Sequence, residues 1–206
     1  RKTAVLPIWA KNMAESKTLS LKKEIRRQIR TLRAELLKPE SIGRKDIMDR
    51  KIREQVLTLL NRLRMEENIP DTVYLYASFG GEADTFGLMD ALWQQGLSVA
   101  LPRVAGDRMD FYLVRGREDL IPGFQDIQEP AGYCAKADCP QAVVITPGTA
   151  FTREGKRMGY GGGFYDRFFS EEPEHKRVAV CYPFQIFPEL PTEEHDRWMD
   201  VVLTGE

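Results

Sequence analysis

Between Gly159 and Gly163 four of the five residues are glycine, and the run sits between an apolar segment and an aromatic, charged one. Upstream lies Val143-Val144-Ile145-Thr146, followed by Pro147-Gly148-Thr149-Ala150-Phe151. Downstream lies Phe164-Tyr165-Asp166-Arg167. A strand that delivers the chain into a glycine loop and then a short helix is the arrangement by which an α/β sheet builds ligand loops at its carboxyl edge. Without Cβ atoms the loop's N–H groups can approach an anion closely. The start of the following helix adds unpaired donors and the positive end of a dipole. Arg157 and Arg167 bring fixed positive charge, and Asp166 a carboxylate suited to a hard cation such as Mg²⁺. On these residues alone the loop is either an anion site or a turn used for tight packing. Two familiar phosphate loops are excluded: no Gly-Lys-Ser/Thr closes the run, and a GxGxxG frame begun at Gly159 meets Phe164 where its third glycine belongs.

The rest of the chain supplies a sheet around that loop. Val73 to Ala77, Leu97 to Leu101, Met109 to Val114, Val143 to Thr146, Val178 to Tyr182 and Asp200 to Leu203 read as strands, with a helix over Thr85 to Gln95. Alternation of this kind predicts an α/β fold, a mainly parallel sheet with helices on both faces. An N-terminal helical pair precedes it. Leu21, Ile25, Ile29, Leu32 and Leu36 recur at helical spacing after Ser20, a suitable N-cap. Beyond Pro39 a second helix runs to about Glu66 and buries Ile52, Val56, Leu59, Leu60 and Leu63. Residues 1–19 lack periodicity and read as a flexible leader, leaving 20–206 as a single α/β domain. In such sheets ligands sit beyond the strand carboxyl ends, which places Ser78 to Glu82, Pro147 to Phe151 and Tyr182 to Gln185 around one site.

Charge narrows the function classes. The formal net charge of −1 gives no general attraction to nucleic acid. No apolar run approaches the roughly 20 residues of a membrane helix. Four residues separate Cys134 from Cys139 and neither His175 nor His195 is near, so a zinc knuckle is not indicated; Cys181 reads as a small core residue. From Leu21 to Lys38 there are seven basic and two acidic residues, with Lys22, Arg26 and Arg33 on one side of the helix. That face is either a solvated surface or a set of phosphate contacts. Too few aromatics interleave it for single-stranded nucleic acid.

The run Pro-Gly-x-Ala-Phe followed by Arg-x-Gly-Tyr-Gly-Gly-Gly-Phe-Tyr-Asp-Arg resembles the signature of the 5-formyltetrahydrofolate cyclo-ligase (methenyltetrahydrofolate synthetase) family. Lys22-Lys23-Glu24-Ile25-Arg26 is similar to the family's amino-terminal Lys-x-x-x-Arg helix. Tyr76-Ala77-Ser78, Glu82-Ala83-Asp84-Thr85, Leu101-Pro102-Arg103, Glu129-Pro130, Leu190-Pro191 and His195-Asp196 follow in the family's order, so the likeness covers Leu21 to Val202.

The resemblance implies conversion of 5-formyltetrahydrofolate to 5,10-methenyltetrahydrofolate, dependent on ATP and Mg²⁺, with release of ADP and phosphate. It implies ATP contacts from Lys22, Arg26 and the stretch Arg157, Met158, Gly159, Tyr160, Gly161, Gly162, Gly163, Phe164 and Tyr165. Folate contacts fall to Ala77, Glu82, Tyr160, Gly161, Gly162, Gly163 and Phe164. Arg157 and Tyr165 take catalytic roles, and Asp166 with Asp196 the magnesium, with Asp200 a lesser alternative to Asp196. His195 reads as a hydrogen-bonding neighbour. The reaction needs no enzyme nucleophile, in keeping with the lack of a Ser-His-Asp or Cys-His set. A reduced folate, free or polyglutamylated, would be the substrate of a cytoplasmic monomer with no nucleic-acid or membrane partner.

The chain departs from the family pattern at Thr149, Thr152, Phe164 and Gln125-Asp126-Ile127, and none of these changes removes a phosphate or magnesium residue. Two rival readings stay open: an inactive relative that binds folate, nucleotide or RNA, and a sugar-phosphate isomerase on a similar fold, which would form no ADP.

Overall fold

Helical and extended segments alternate because apolar residues recur first every three to four positions and then every two. The computed structural model describes residues 8–193 and 195–206. Two long helices come first, α1 (Ile8–Leu36) and α2 (Ile42–Glu66). Then follow β1 (Thr72–Tyr74), α3 (Phe86–Gln94) and a hairpin of β2 (Ser98–Ala105) and β3 (Arg108–Val114). A small antiparallel pair, β4 (Leu120–Pro122) and β5 (Gln128–Pro130), precedes the central strand β6 (Val143–Thr146). Next come a two-residue hairpin, β7 (Ala150–Phe151) with β8 (Arg157–Met158), then α4 (Phe164–Glu171), β9 (Lys176–Val180) and β10 (Val201–Leu203).

The main sheet has the order β10-β9-β6-β1-β2-β3. Every pairing in it is parallel except β2–β3 at one edge. Side-chain alternation sorts the sheet into two cores. Val143 and Ile145 of β6 face the cluster that takes Val56, Leu60 and Leu63 of α2 and Leu88, Met89 and Leu92 of α3. Val144 faces the opposite cluster, where Phe168 and Phe169 of α4 pack with Tyr74 and Phe111. Helices therefore cover both faces, as the sequence predicts. Full burial of side chains such as Phe169 or Leu60 contributes about 1.5–3 kcal/mol each.

Three local expectations need correction. The first helix starts at Ile8, so Ser20 is not its cap: nothing between Ile8 and Ser20 breaks a helix, and weak amphipathicity does not stop one. Residues 1–7 of the expected leader lie outside the described residues, while residues 8–19 are helical. Leu21 is exposed, whereas Ile25, Ile29 and Leu36 are buried. Finally, β6 does not run directly into the glycine run. The β7–β8 hairpin intervenes, too short for a period-2 signal.

Candidate active site

A third core cluster explains how α1 reaches the glycine loop. Ile25 and Ile29 pack with Ala150 of β7, Met158 of β8 and Leu190. The helix repeat then turns Lys22, Arg26 and Arg33, at spacings near one and two turns, toward the loop at the end of β8. Arg26 Nε donates to the Gly159 carbonyl at 3.1 Å. Lys22 Nζ lies 2.5 Å from Glu193 Oε1, and that bond holds the Glu193 carboxyl below its usual range. Met158 lies with its side chain buried under α1 and its carbonyl bonded to the Thr149 N–H at 2.7 Å.

The loop itself is open to a ligand. Gly161 and Gly162 are exposed, and Gly161 and Gly163 have φ of +109° and +67°, conformations that side chains resist. Gly163 caps α4 with no side-chain hydrogen bond, so N–H groups of its first turn are left for an acceptor. Arg167 Nη2 donates back to the Gly162 carbonyl at 2.9 Å, and its guanidinium lies over the Phe164 ring at 5.0 Å.

Beneath the loop Arg157 is buried. Its Nη2 meets Asp166 Oδ2 at 2.9 Å, its Nη1 reaches the Pro147 carbonyl at 3.4 Å, and its Nε has no partner. Asp166 Oδ1 also accepts the Arg197 N–H at 3.1 Å, which brings the 196–197 segment beside α4 across thirty-one residues. Asp196 Oδ2 accepts the Glu193 N–H at 2.7 Å. Among the described residues no group of three or more His, Cys, Asp or Glu side chains forms a metal site. Two carboxylates are nonetheless enough for magnesium, which keeps several waters and takes substrate phosphates as ligands. His195 is exposed beside Glu193. Asp200 pairs with Arg177 at 2.9 Å.

Tyr165 packs between Phe111 and Phe169, 5.6 Å from the Arg157 guanidinium. Its hydroxyl is buried without a hydrogen-bond partner, and burial pushes its ionisation upward.

The other wall follows β1. Ala77 is buried there, and Glu82 is 3% exposed. Glu82 Oε2 accepts the Phe79 N–H at 3.1 Å and Oε1 accepts the Tyr160 hydroxyl. Burial pushes the Glu82 carboxyl up, opposed by Arg33 and by those two hydrogen bonds. Glu82 also lines a cavity of about 600 Å³, walled by Lys45, Asp49, Arg50 and Arg53 of α2 and by residues 78–81. Its size suits a small organic ligand.

Sequence reasoning had brought Lys22, Arg26, Glu82, Tyr160, Arg157 and Asp166 to one region, and the fold unites them. Two supports gain a role that only the fold reveals. Gln185, in sequence no more than the end of a segment expected near the site, is fully buried in the turn after β9 and donates to the Gly148 and Thr149 carbonyls at 3.0 Å. Arg33, singled out only as part of a basic face, is buried between Gly148 and Tyr160. A buried arginine two turns from Arg26 has no distinguishing sequence signal beyond that spacing.

A family model described as the 5-formyltetrahydrofolate cyclo-ligase family matches residues 18–205. A 5-formyltetrahydrofolate cyclo-ligase of Haemophilus influenzae is 30% identical over 194 residues, covering 89% of this chain and 97% of that protein. The Escherichia coli K12 enzyme of the same name is 35% identical over 146 residues, 65% of this chain and 77% of that one. The solution structure of Aquifex aeolicus 5,10-methenyltetrahydrofolate synthetase superposes with a TM-score of 0.72 at 29% identity, covering 90% of both chains. A Mycoplasma pneumoniae synthetase shares the fold, with a TM-score of 0.68 at 19% identity over 90% of this chain and 99% of that one.

Proposed function

This chain belongs to the 5-formyltetrahydrofolate cyclo-ligase family and is an enzyme of that class, and we propose that it closes the methenyl bridge at the expense of ATP, releasing ADP and phosphate. The carrying observation is the convergence of three features: the open glycine loop at the α4 N-terminus, the buried Arg157–Asp166 pair beneath it, and the buried Glu82 carboxylate beside it.

In the proposed reaction the formyl oxygen attacks the γ-phosphorus and ADP leaves. N10 then adds to the activated formyl carbon and gives up its proton, the C–O bond breaks, and phosphate departs carrying that proton. The protein must align two substrates and neutralise developing charge. The loop N–H groups and Arg26 would receive the phosphates, with Lys22 released from Glu193. Arg157, held beside the loop by Asp166 and the Pro147 carbonyl, offers fixed charge to the transferred phosphoryl group. The orphan Tyr165 hydroxyl supports a polar contact to a bound substrate, because a buried donor without a partner is costly. Glu82 and Ala77 would take the pterin, and Arg50 and Arg53 on the cavity wall suit the glutamate carboxylates of a free or polyglutamylated folate. Asp166 and Asp196 would hold magnesium, whose charge offsets that of the phosphate oxygens. The working unit is taken as a single chain in the cytoplasm.

The test mixes protein, MgATP and 5-formyltetrahydrofolate and follows methenyl absorbance and ADP together. Both rising in step, and only with magnesium, is the expected result. ADP without the methenyl product rejects the folate acceptor, and neither product rejects catalysis. Arg157→Ala is expected to lose most turnover while remaining folded. Near-normal turnover in that variant would remove Arg157 from the mechanism.

A further inference from the structure

Arg33 is the one arginine of α1 whose guanidinium is drawn into the interior against the substrate wall. The residue is 7% exposed. Nη1 donates to the Tyr160 hydroxyl at 2.6 Å and Nη2 to the Gly148 carbonyl at 2.8 Å. The Tyr160 hydroxyl in turn donates to Glu82 Oε1, which is itself 3.8 Å from Arg33 Nη1. The Tyr160 ring is half exposed at the head of the glycine loop, while its hydroxyl is enclosed between those two charges. Gly81 completes the junction: a Cβ there would lie 2.7 Å from the Arg33 carbonyl oxygen, so α1 seats directly on the turn that carries Glu82.

We propose that Arg33 is a positioning residue that acts through Tyr160, aiming the Glu82 carboxylate at the folate and tying the glycine loop to α1 so that the two halves of the site stay in register.

The electrostatics require such a residue. A carboxylate as buried as Glu82 is costly unless it is paired and hydrogen-bonded. The neighbours that face it are Arg33 from α1, Tyr76 after β1, Tyr160 from the glycine loop and Tyr165 from α4. The Phe79 N–H adds one donor, and Asp49 of α2 touches only the backbone side of the turn, through Tyr182. A tyrosine is never a cation, so Arg33 is the sole cation in that set; Lys45, Arg50 and Arg53 of α2 line the same cavity, but among the described residues the one cation paired with Glu82 is Arg33. Arg33 Nε is buried without a partner, so the guanidinium is oriented by its two Nη contacts alone. A lysine, with one compact charge, could pair with Glu82 or hold Gly148 but would not span both.

The inference rests on the assignment of Glu82 to the folate. Its test pairs kinetics with a measurement independent of turnover. In Arg33→Met, KM for 5-formyltetrahydrofolate is expected to rise at least about tenfold, the loss of a charge-assisted contact, with a smaller change in KM for ATP. The acidic limb of kcat/KM moves to higher pH, because removing the cation raises the carboxyl further. Arg33→Lys recovers part of both. Tyr160→Phe, which deletes only the relaying hydroxyl and keeps the protein falsifiable if Arg33→Met folds poorly, moves both in the same direction by less. In parallel, ¹³C-carboxyl NMR titration of ligand-free protein, with the Glu82 signal identified by its loss in Glu82→Gln, should give a higher midpoint in Arg33→Met. A normal folate KM or an unmoved Glu82 midpoint in well-folded Arg33→Met and Tyr160→Phe overturns the proposal. A normal folate KM in Glu82→Gln overturns instead the folate assignment, while the NMR midpoint still scores the Arg33–Glu82 coupling.

Discussion

Asp166→Asn is expected to destabilise the fold more than Arg157→Met, although both remove one half of the same pair. The two charges meet at 2.9 Å with side-chain exposures of 4% for Arg157 and 17% for Asp166. With charge centres about 4 Å apart and an effective dielectric near 20, the gross attraction is about 4 kcal/mol. Desolvation offsets much of it, so the measurable quantity is the cost of stranding the survivor, about 3–5 kcal/mol for a fully buried partner. Asp166, stranded by Arg157→Met, keeps the Arg197 N–H and some water, and the cost falls to about 2–3 kcal/mol. Arg157, stranded by Asp166→Asn, exchanges its counter-charge for at most a neutral amide oxygen beside a long contact to Pro147 and an Nε with no partner, so its cost sits in the upper part of that range. At about 2–4 °C per kcal/mol for a chain of this size, Arg157→Met lowers Tm by roughly 4–12 °C and Asp166→Asn by more. The double variant strands nothing, so its loss should fall short of the sum by about 1.5–3 kcal/mol. Thermal unfolding of the four proteins without nucleotide or magnesium gives all three numbers. Additivity within about 0.5 kcal/mol, or the reverse order of the single variants, would refute the reasoning.

Lys22→Ala should leave Tm within about 2–4 °C of the parent, because its partner Glu193 is 45% exposed and such pairs contribute at most about 1 kcal/mol, yet raise KM for ATP several-fold in steady-state assays. Gly81→Ala should cost about 1–3 kcal/mol by urea unfolding, from the +78° φ and the clash with the Arg33 carbonyl; a neutral result would mean α1 can withdraw from the turn freely. Cys181, 1% exposed, has its thiol pushed up to about 12 by burial, so iodoacetamide at pH 8 should label Cys139 well before Cys181, as read by peptide mass spectrometry. Folded Cys181 holds its proton more tightly than the unfolded chain does, so its contribution to stability is complete below pH 9 and is lost as pH rises toward about 12.

The parts of the molecule legible in sequence are those with a period or a backbone requirement. Val143 to Thr146 reads as a buried strand because all four residues are apolar or β-branched, and it is one. The α2 face is legible because Ile52, Val56, Leu59, Leu60 and Leu63 repeat at helical spacing, and all five are buried. The glycine run declares a loop because side chains resist its positive φ at Gly161 and Gly163. What escaped depends on tertiary contact. The β7–β8 hairpin has two residues per strand, too few for alternation to register. Arg33 looked no different from its solvated neighbours, since only the seating of α1 on Gly81 and Ala150 decides that this arginine is swallowed while Arg27 pairs with Glu24 in water. Asp49, inside a run of charged residues on α2, likewise gave no sign that it would be buried and hydrogen-bonded by Tyr182.

Three of the cations around this site have an internal counter-charge: Lys22 with Glu193, Arg157 with Asp166, Arg33 with Glu82 through Tyr160. That arrangement has a thermodynamic consequence. A site that gathered these cations without counter-charges would be destabilised by repulsion and desolvation, whereas here ligand binding exchanges one set of partners for another. Phosphates that draw Lys22 away from Glu193 leave a half-exposed carboxylate that water can solvate, a small cost. Phosphates that draw Arg157 away from Asp166 leave a mostly buried one, a larger cost unless a cation takes its place. Magnesium at Asp166, as proposed, would offset that cost, so nucleotide and metal should bind cooperatively. Asp166, proposed above as a magnesium ligand, would then also couple the two binding events. In Asp166→Asn, ATP affinity should lose most of its dependence on magnesium beyond that of the nucleotide's own metal complex. Calorimetric titrations of the non-hydrolysable analogue with and without magnesium measure that coupling, and a dependence as steep as in the parent would sink it.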